Sequence, residues 1–146
     1  MARPYLSVLI RQLVINRANG YCEYCYVPSS FVPDTFPLDH IKAYSLGGLS
    51  EPENLAQSCT PCNGHKYNKT SHFDPLTNQE TPLFHPRKDY WPDHFKWSED
   101  YTIIIGKTPK GRATVELLDV NREANINLRK LLIMAELHPP KSYPET

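Results

Sequence analysis

Cys22-Glu23-Tyr24-Cys25 is answered, after 33 intervening residues, by Cys59-Thr60-Pro61-Cys62. These two tetrapeptides hold all four cysteines of the 146-residue chain. A two-residue gap lets one tight turn present both sulfurs to a single ion, and zinc takes four thiolates at tetrahedral corners. Two such turns close the coordination sphere. The spacing therefore predicts a structural zinc ion on Cys22, Cys25, Cys59 and Cys62, with no open position for chemistry. Four buried thiols acting as small hydrophobes, or a redox pair at one motif, would be the plainer readings. The pairing of all four cysteines favours the metal. Such an ion contributes on the order of 10 kcal/mol to folding, and here it ties the end of one helix to the start of another.

Outward from the cysteines, the hydrophobic pattern supplies the elements. Residues 6–18 carry Leu6, Leu9, Ile10, Leu13, Val14 and Ala18 at helical spacing, which predicts one buried face. Asn19-Gly20 is a stop signal, with Gly20 suited to a left-handed position. Pro28, Pro33 and Pro37 predict a loop. Residues 36–45 read as a strand, Gly47-Gly48 as a turn and Asn54-Leu55-Ala56 as a returning arm. Pro61 and the polar run over 63–69 fit a short helix beginning at the second cysteine pair. A β-hairpin followed by a helix results. Further on, residues 74–93 read as an irregular connection, and 94–97 with 101–105 as a short hairpin. Asn121 is the expected N-cap of a last helix with Ala124, Leu128, Leu131, Leu132 and Ala135 on one stripe, ended by Pro139-Pro140. The chain divides into residues 1–72, an N-terminal helix plus the cysteine-bearing core, and residues 73–146, an α/β extension.

Composition sets the outer bounds. Hydrophobic residues make up 40% and charged residues 22%, and the formal net charge is +0. That balance excludes disorder and argues against binding nucleic acid by bulk charge alone, although a local basic face is compatible with it. No run of 18 apolar residues is present, and the N-terminus lacks a secretory pattern. The expectation is a cytoplasmic protein with reduced cysteines. No heptad or apolar patch fixes an oligomeric state.

Between and after the knuckles lie Leu38-Asp39-His40-Ile41, Gly47-Gly48, Glu53-Asn54-Leu55-Ala56 and Cys62-Asn63-Gly64-His65-Lys66. With Tyr21-Cys22-Glu23-Tyr24-Cys25, these pieces resemble the HNH (ββα-metal, His-Me finger) endonuclease family in its cysteine-flanked, zinc-binding subgroup. The match covers about a third of the chain, in the expected order. The resemblance implies an α+β fold with a ββα-metal core, and hydrolysis of phosphodiester bonds in DNA, or in RNA. It gives His40 the role of activating water and Asn54 that of bracing the loop that orients His40. Asp39 and Asn63 would hold one Mg²⁺ or Mn²⁺ ion. Carboxylate and amide oxygens are hard ligands suited to such an ion, and a neutral imidazole suits the proton transfer. The third family position is Asn63 rather than histidine, giving a His-Asn-Asn triad. His65, two residues on, is the alternative ligand.

Lys42, Lys66 and Lys69 fall near where the phosphate would lie, and are expected to contact the nucleic-acid backbone as point charges. Arg17 is placed to join the same face. The stretch 84–91 mixes cations with aromatics, which suits a nucleic-acid surface or, more simply, a loop packing Phe84 and Trp91 on the core. Residues 106–112 form a basic turn without the full phosphate-loop pattern. The stretch 111–122 resembles the C-terminal part of certain small bacterial HNH proteins, with no residue roles attached. The competing functional reading is a zinc-bearing nucleic-acid-binding module that does not cut.

Overall fold

The structure, a computed structural model, describes residues 5–145; residues 1–4 and 146, which end the two segments expected from the sequence, lie outside it. The first helix, α1, spans Val8–Ala18. Ser7 caps it by accepting a hydrogen bond from Ile10 N at 3.1 Å. Asn19 ends it in the left-handed region at φ 52, and Gly20 follows at φ 86. The helix buries only part of the predicted stripe. Leu6, Val14 and Ala18 are buried, whereas Leu9 and Leu13 are exposed. The strip that packs on Leu55 is narrower than the apolar pattern, because a three-residue strand offers little area.

The hairpin is short and antiparallel. Strand β1 (Leu38–His40) pairs with β2 (Leu55–Gln57), with Leu38 opposite Gln57, Asp39 opposite Ala56 and His40 opposite Leu55. The expected arm over 36–45 is cut to three residues by the 3-10 turn at Tyr44–Leu46 and the left-handed Gly47. Helix α2 spans Thr60–Lys66, with Cys59 at its N-cap position and Pro61 in its first turn. Tyr67, at φ 52, stops it before Lys69. These elements form the ββα unit, fastened at its start by Glu23. Glu23 N donates to Gln57 O, and Gln57 N returns a bond to Glu23 Oε2, each at 2.9 Å.

Downstream, the structure is more regular than the sequence suggested. Residues 74–93 contribute to a hairpin of β3 (Ser71–Phe73) and β4 (Glu80–Pro82), followed by the single-turn α3 (Trp91–His94). Strands β5 (Phe95–Trp97) and β6 (Ile104–Gly106) form the expected second hairpin. The basic turn at 106–112 is instead the start of helix α4 (Pro109–Leu118). Thr108 caps it by accepting from Gly111 N at 3.0 Å. Arg112 is spent on Asp74 in a bidentate pair, both bonds at 2.9 Å.

The last helix, α5, spans Glu123–Met134 and is not capped by Asn121. Asn121 pairs instead with the backbone of Ile104 in both directions. The predicted apolar stripe is rotated by about one residue. Asn125, Arg129 and Leu132 are buried, while Ala124, Leu131 and Ala135 are exposed. Polar groups lie inside because their partners are backbone carbonyls that would otherwise be orphaned. Asn125 Nδ2 and Arg129 Nη2 both donate to Val120 O, at 3.0 and 2.7 Å. One hydrophobic core draws on both parts of the chain, from Cys22 and Tyr24 through Phe84, Trp91 and Phe95 to Leu118 and Val120. Trp91 is fixed there by its indole N–H, which donates to Tyr24 O at 3.1 Å. Arg87 pairs with buried Glu23. The stretch 84–91 is therefore a packing loop.

Gly48 matters for space rather than for its own torsions. A Cβ there would stand 1.8 Å from Lys42 O, a contact that the backbone must move to relieve. We expect Gly48→Ala to cost about 1–3 kcal/mol and to shift the amide resonances of Lys42 and Asn54, read by urea denaturation and two-dimensional NMR.

Candidate nuclease centre and metal site

The four cysteine sulfurs converge. Cys22 and Cys25 lie on the tight turn after α1, where Cys25 N–H points at Cys22 Sγ from 3.5 Å. Cys59 and Cys62 come from the first turn of α2. All four sulfurs lie within 4.8 Å of one another, and all four residues are buried. Cys25 and Cys59 are 3.7 Å apart, close to the separation of about 3.8 Å that tetrahedral geometry with Zn–S bonds near 2.3 Å requires. The donor set, its burial and its spacing fit a zinc ion. Arg122 completes the surroundings. Its Nη2 lies 3.1 Å from Cys59 Sγ, 3.7 Å from Cys62 Sγ and 3.8 Å from Cys25 Sγ. Burial works against its charge, but the sulfurs outweigh burial and raise its pKa. Arg122 ends the stretch 111–122 noted above, but nothing in its sequence context pointed to the cysteines.

Asp39 and His40, adjacent on β1, face different surroundings, as alternation on a strand requires. Asp39 is buried. Its Oδ2 accepts from the Tyr24 hydroxyl at 2.8 Å and lies 3.2 Å from Lys66 Nζ. Burial raises the Asp39 pKa, and Lys66 and Tyr24 pull it back down. The Lys66 ammonium also reaches His40 O at 3.3 Å and Ile41 O at 2.8 Å. At 1% exposed, Lys66 is not the substrate contact expected from its sequence position. It faces inward because α2 lies against β1, where the ammonium finds the buried Asp39 carboxylate.

His40 is half-buried, and its Nε2 lies 3.0 Å from Ser50 Oγ. Burial lowers its pKa, Asp39 raises it and Lys66 lowers it, with a net shift below the ordinary 6.5. Ser50 was not singled out from the sequence, since a lone serine in a loop carries no signal. Asn54 is spent entirely on backbone. Its Oδ1 accepts from Lys42 N at 2.8 Å, and its Nδ2 donates to Lys42 O at 3.0 Å and Leu49 O at 2.9 Å. The loop that follows His40 is thereby closed on itself.

Asn63 is half-buried on α2 and donates to Ser58 Oγ at 3.3 Å; no hydrogen bond reaches its Oδ1 among the described residues. His65, Lys42 and Lys69 are exposed. Arg17 is taken up by the carbonyls of Pro52 and Leu55, each at 2.8 Å, so it adds no free charge to this face. A cleft of about 800 Å³ opens alongside, bordered by Lys42 and Asn54 but not by His40. Glu53, Glu80 and Asp89 share its walls with Lys42, Lys88 and Lys110, so it is not a uniformly basic groove.

An α+β fold of this kind, short antiparallel strand pairs with a cysteine cluster beside a hairpin and helix, is consistent with the ββα-metal architecture of HNH nucleases. The family model described as HNH endonuclease matches residues 22–69. The Septu protein PtuA of Bacillus mycoides (strain KBAB4) is 25% identical over 148 residues, covering 83% of this chain and 20% of that protein. The chain thus spans about a fifth of the length of that relative. Among the described residues no helix is long and apolar enough to cross a membrane.

Removing one member of a buried ion pair strands the other's charge. Lys66→Ala is expected to cost about 3–5 kcal/mol, measured by urea denaturation, and Asp39→Asn,Lys66→Met together should cost less than Lys66→Ala alone.

Proposed function

We propose that this protein is a metal-dependent endonuclease that hydrolyses phosphodiester bonds in DNA, with His40 as the group that activates water. The observation that carries the reading is the position of the His40 ring. It stands on β1 of the segment matched by the HNH endonuclease model, half-open to solvent, with one ring nitrogen engaged by Ser50. With Nε2–H donating to Ser50 Oγ, the lone pair lies on Nδ1. That nitrogen takes a proton from water, the water oxygen bonds to phosphorus, and the bond from phosphorus to the leaving 3′ oxygen breaks. Solvent protonates the departing oxygen. Lowered basicity keeps the ring neutral near pH 7, as a base must be.

A divalent cation, Mg²⁺ or Mn²⁺, would supply charge stabilisation at the phosphate. Asp39 and Asn63 are its proposed ligands, with His65 as the alternative. Asn63 fits, as its amide oxygen is free. Asp39 has the right chemistry, but Lys66 and Tyr24 already engage its carboxylate. That engagement supports the second reading, a zinc-bearing module that binds nucleic acid without cutting it. Zinc on Cys22, Cys25, Cys59 and Cys62 serves the fold under either reading, and Lys42 and Lys69 remain the proposed phosphate contacts.

Supercoiled plasmid separates the two readings. Zinc-loaded wild type should nick or linearise it with Mg²⁺ or Mn²⁺, and His40→Ala should reduce cleavage by at least about 100-fold, the lower range for a general base, with zinc content and melting temperature unchanged. Wild type that binds plasmid but never cuts it would assign the binding module.

The pH dependence has a definite sign. The His40 pKa lies below 6.5, so the single-turnover rate should be level around neutrality and fall only as pH drops through that lowered value. A rate that shows no fall on the acid side, over the whole range in which the protein stays folded, would remove His40 as the base.

A further inference from the structure

Two arginines of the C-terminal part have no carboxylate partner among the described residues, and one of them, Arg122, reaches the cysteine cluster. Arg122 bonds to Leu118 O at 3.2 Å and Asp119 O at 2.9 Å through Nη1, and turns Nη2 to three sulfurs. Arg129 is 2% exposed. It donates to Thr102 O, Asn121 Oδ1 and Val120 O at 2.7–3.0 Å, and its guanidinium carbon lies 5.2 Å from the centre of the Trp97 ring. Neither forms an ion pair with Asp or Glu among the described residues.

A buried cation without a counter-charge is costly. Arg129 is met by carbonyls, an amide oxygen and a ring face; the negative charge within reach of Arg122 is sulfur. Four thiolates around a divalent ion keep two net negative charges, and the Arg122 guanidinium offsets one of them. Both arginines come from the C-terminal part of the chain, outside residues 22–69, and neither belongs to the cysteine motifs.

We propose that Arg122 is the charge partner of a tetrathiolate zinc ion, and that its N–H···S contacts make retention of the ion depend on the docked C-terminal helices. The inference rests on the zinc reading of the four cysteines. Its physical basis is twofold. Hydrogen bonds and positive charge draw electron density from sulfur, so a thiolate is less readily protonated or attacked as it leaves the metal. The same guanidinium binds the last carbonyls of α4 through Nη1, so the C-terminus of that helix and the metal site share one side chain. Sequence proximity gives no hint of this, since Arg122 lies 60 residues beyond Cys62.

The test uses the full-length protein loaded with one zinc ion, its stoichiometry measured by elemental analysis, with zinc transfer to a chromophoric chelator followed in time. Arg122→Gln keeps a polar N–H but loses the charge and the reach to sulfur, and should release zinc about 10- to 100-fold faster, the range typical of removing a ligand's supporting partner. Arg122→Lys keeps the charge without the planar fork and should fall between Gln and wild type. With cobalt in place of zinc, the sulfur-to-metal charge-transfer band of Arg122→Gln should move from its wild-type position. Equal release rates and an unmoved band, in variants that bind one metal ion, would overturn the inference and leave Arg122 as a cap for α4. Should Arg122→Gln fail to fold, Arg122→Lys decides by the same two readouts. Wild type that binds no zinc would instead remove the zinc reading itself.

Discussion

The convergence of four sulfurs is the constraint on which the rest hangs. The ββα unit has strands of three residues and a helix of seven. Elements this short bury too little apolar surface to hold each other in place. A metal ion on the four cysteines would supply the missing restraint by joining the turn after α1 to the first turn of α2, with the hairpin enclosed between them. Glu23 extends the join. It sits inside the first knuckle, bonds in both directions to Gln57 on β2, and meets Arg87 from the extension. The restraint therefore spreads from sulfur to hairpin to C-terminal segment through named side chains.

The extension is part of the same structure, not an attachment. Trp91 donates to Tyr24 O inside the first knuckle, Arg112 pins α4 to buried Asp74, and Arg122 reaches the sulfurs. The energetic logic is that of a small domain with a limited core. Buried polar groups are accepted where each meets a carbonyl or a charge that would otherwise be stranded. Asn121, Asn125 and Arg129 between them serve Ile104, Val120 and Thr102 in this way.

Features with strong local chemistry were legible in the sequence. The paired knuckles, the stop at Asn19-Gly20, the hairpin turn at Gly47-Gly48 and the helix opening at Pro61 all carry geometric demands that few residue types meet. Features set by tertiary contact were not. Thr108-Pro109 is an acceptable helix start, but the basic character of 106–112 masked it. The stripe on α5 is offset because Arg129 and Asn125 are drawn inward by carbonyls, which no hydropathy pattern records. Leu9 and Leu13 stand outside because the hairpin beneath α1 is narrow. Lys66 could not be read as buried, since only the fold brings Asp39 and two carbonyls to its ammonium.

Lys66 also shows how the proposed centre can be rigid while its strands are short. An ammonium has three donors, and here the three go to the Asp39 carboxylate, His40 O and Ile41 O. All three acceptors belong to one run of β1 and its exit, whereas Lys66 lies on α2, one helical turn after Asn63. The helix bearing Asn63 is thus fastened to the backbone of the residue bearing the imidazole, without passing through any loop. Asn54 does the same on the other side, closing residues 42–49 by three bonds to backbone. A displacement near 1 Å in such a centre can cost about 100-fold in rate. Lys66, bonded to the Asp39 carboxylate and two carbonyls, and Asn54, bonded to main chain alone, are therefore as necessary to placing His40 as the elements that carry it.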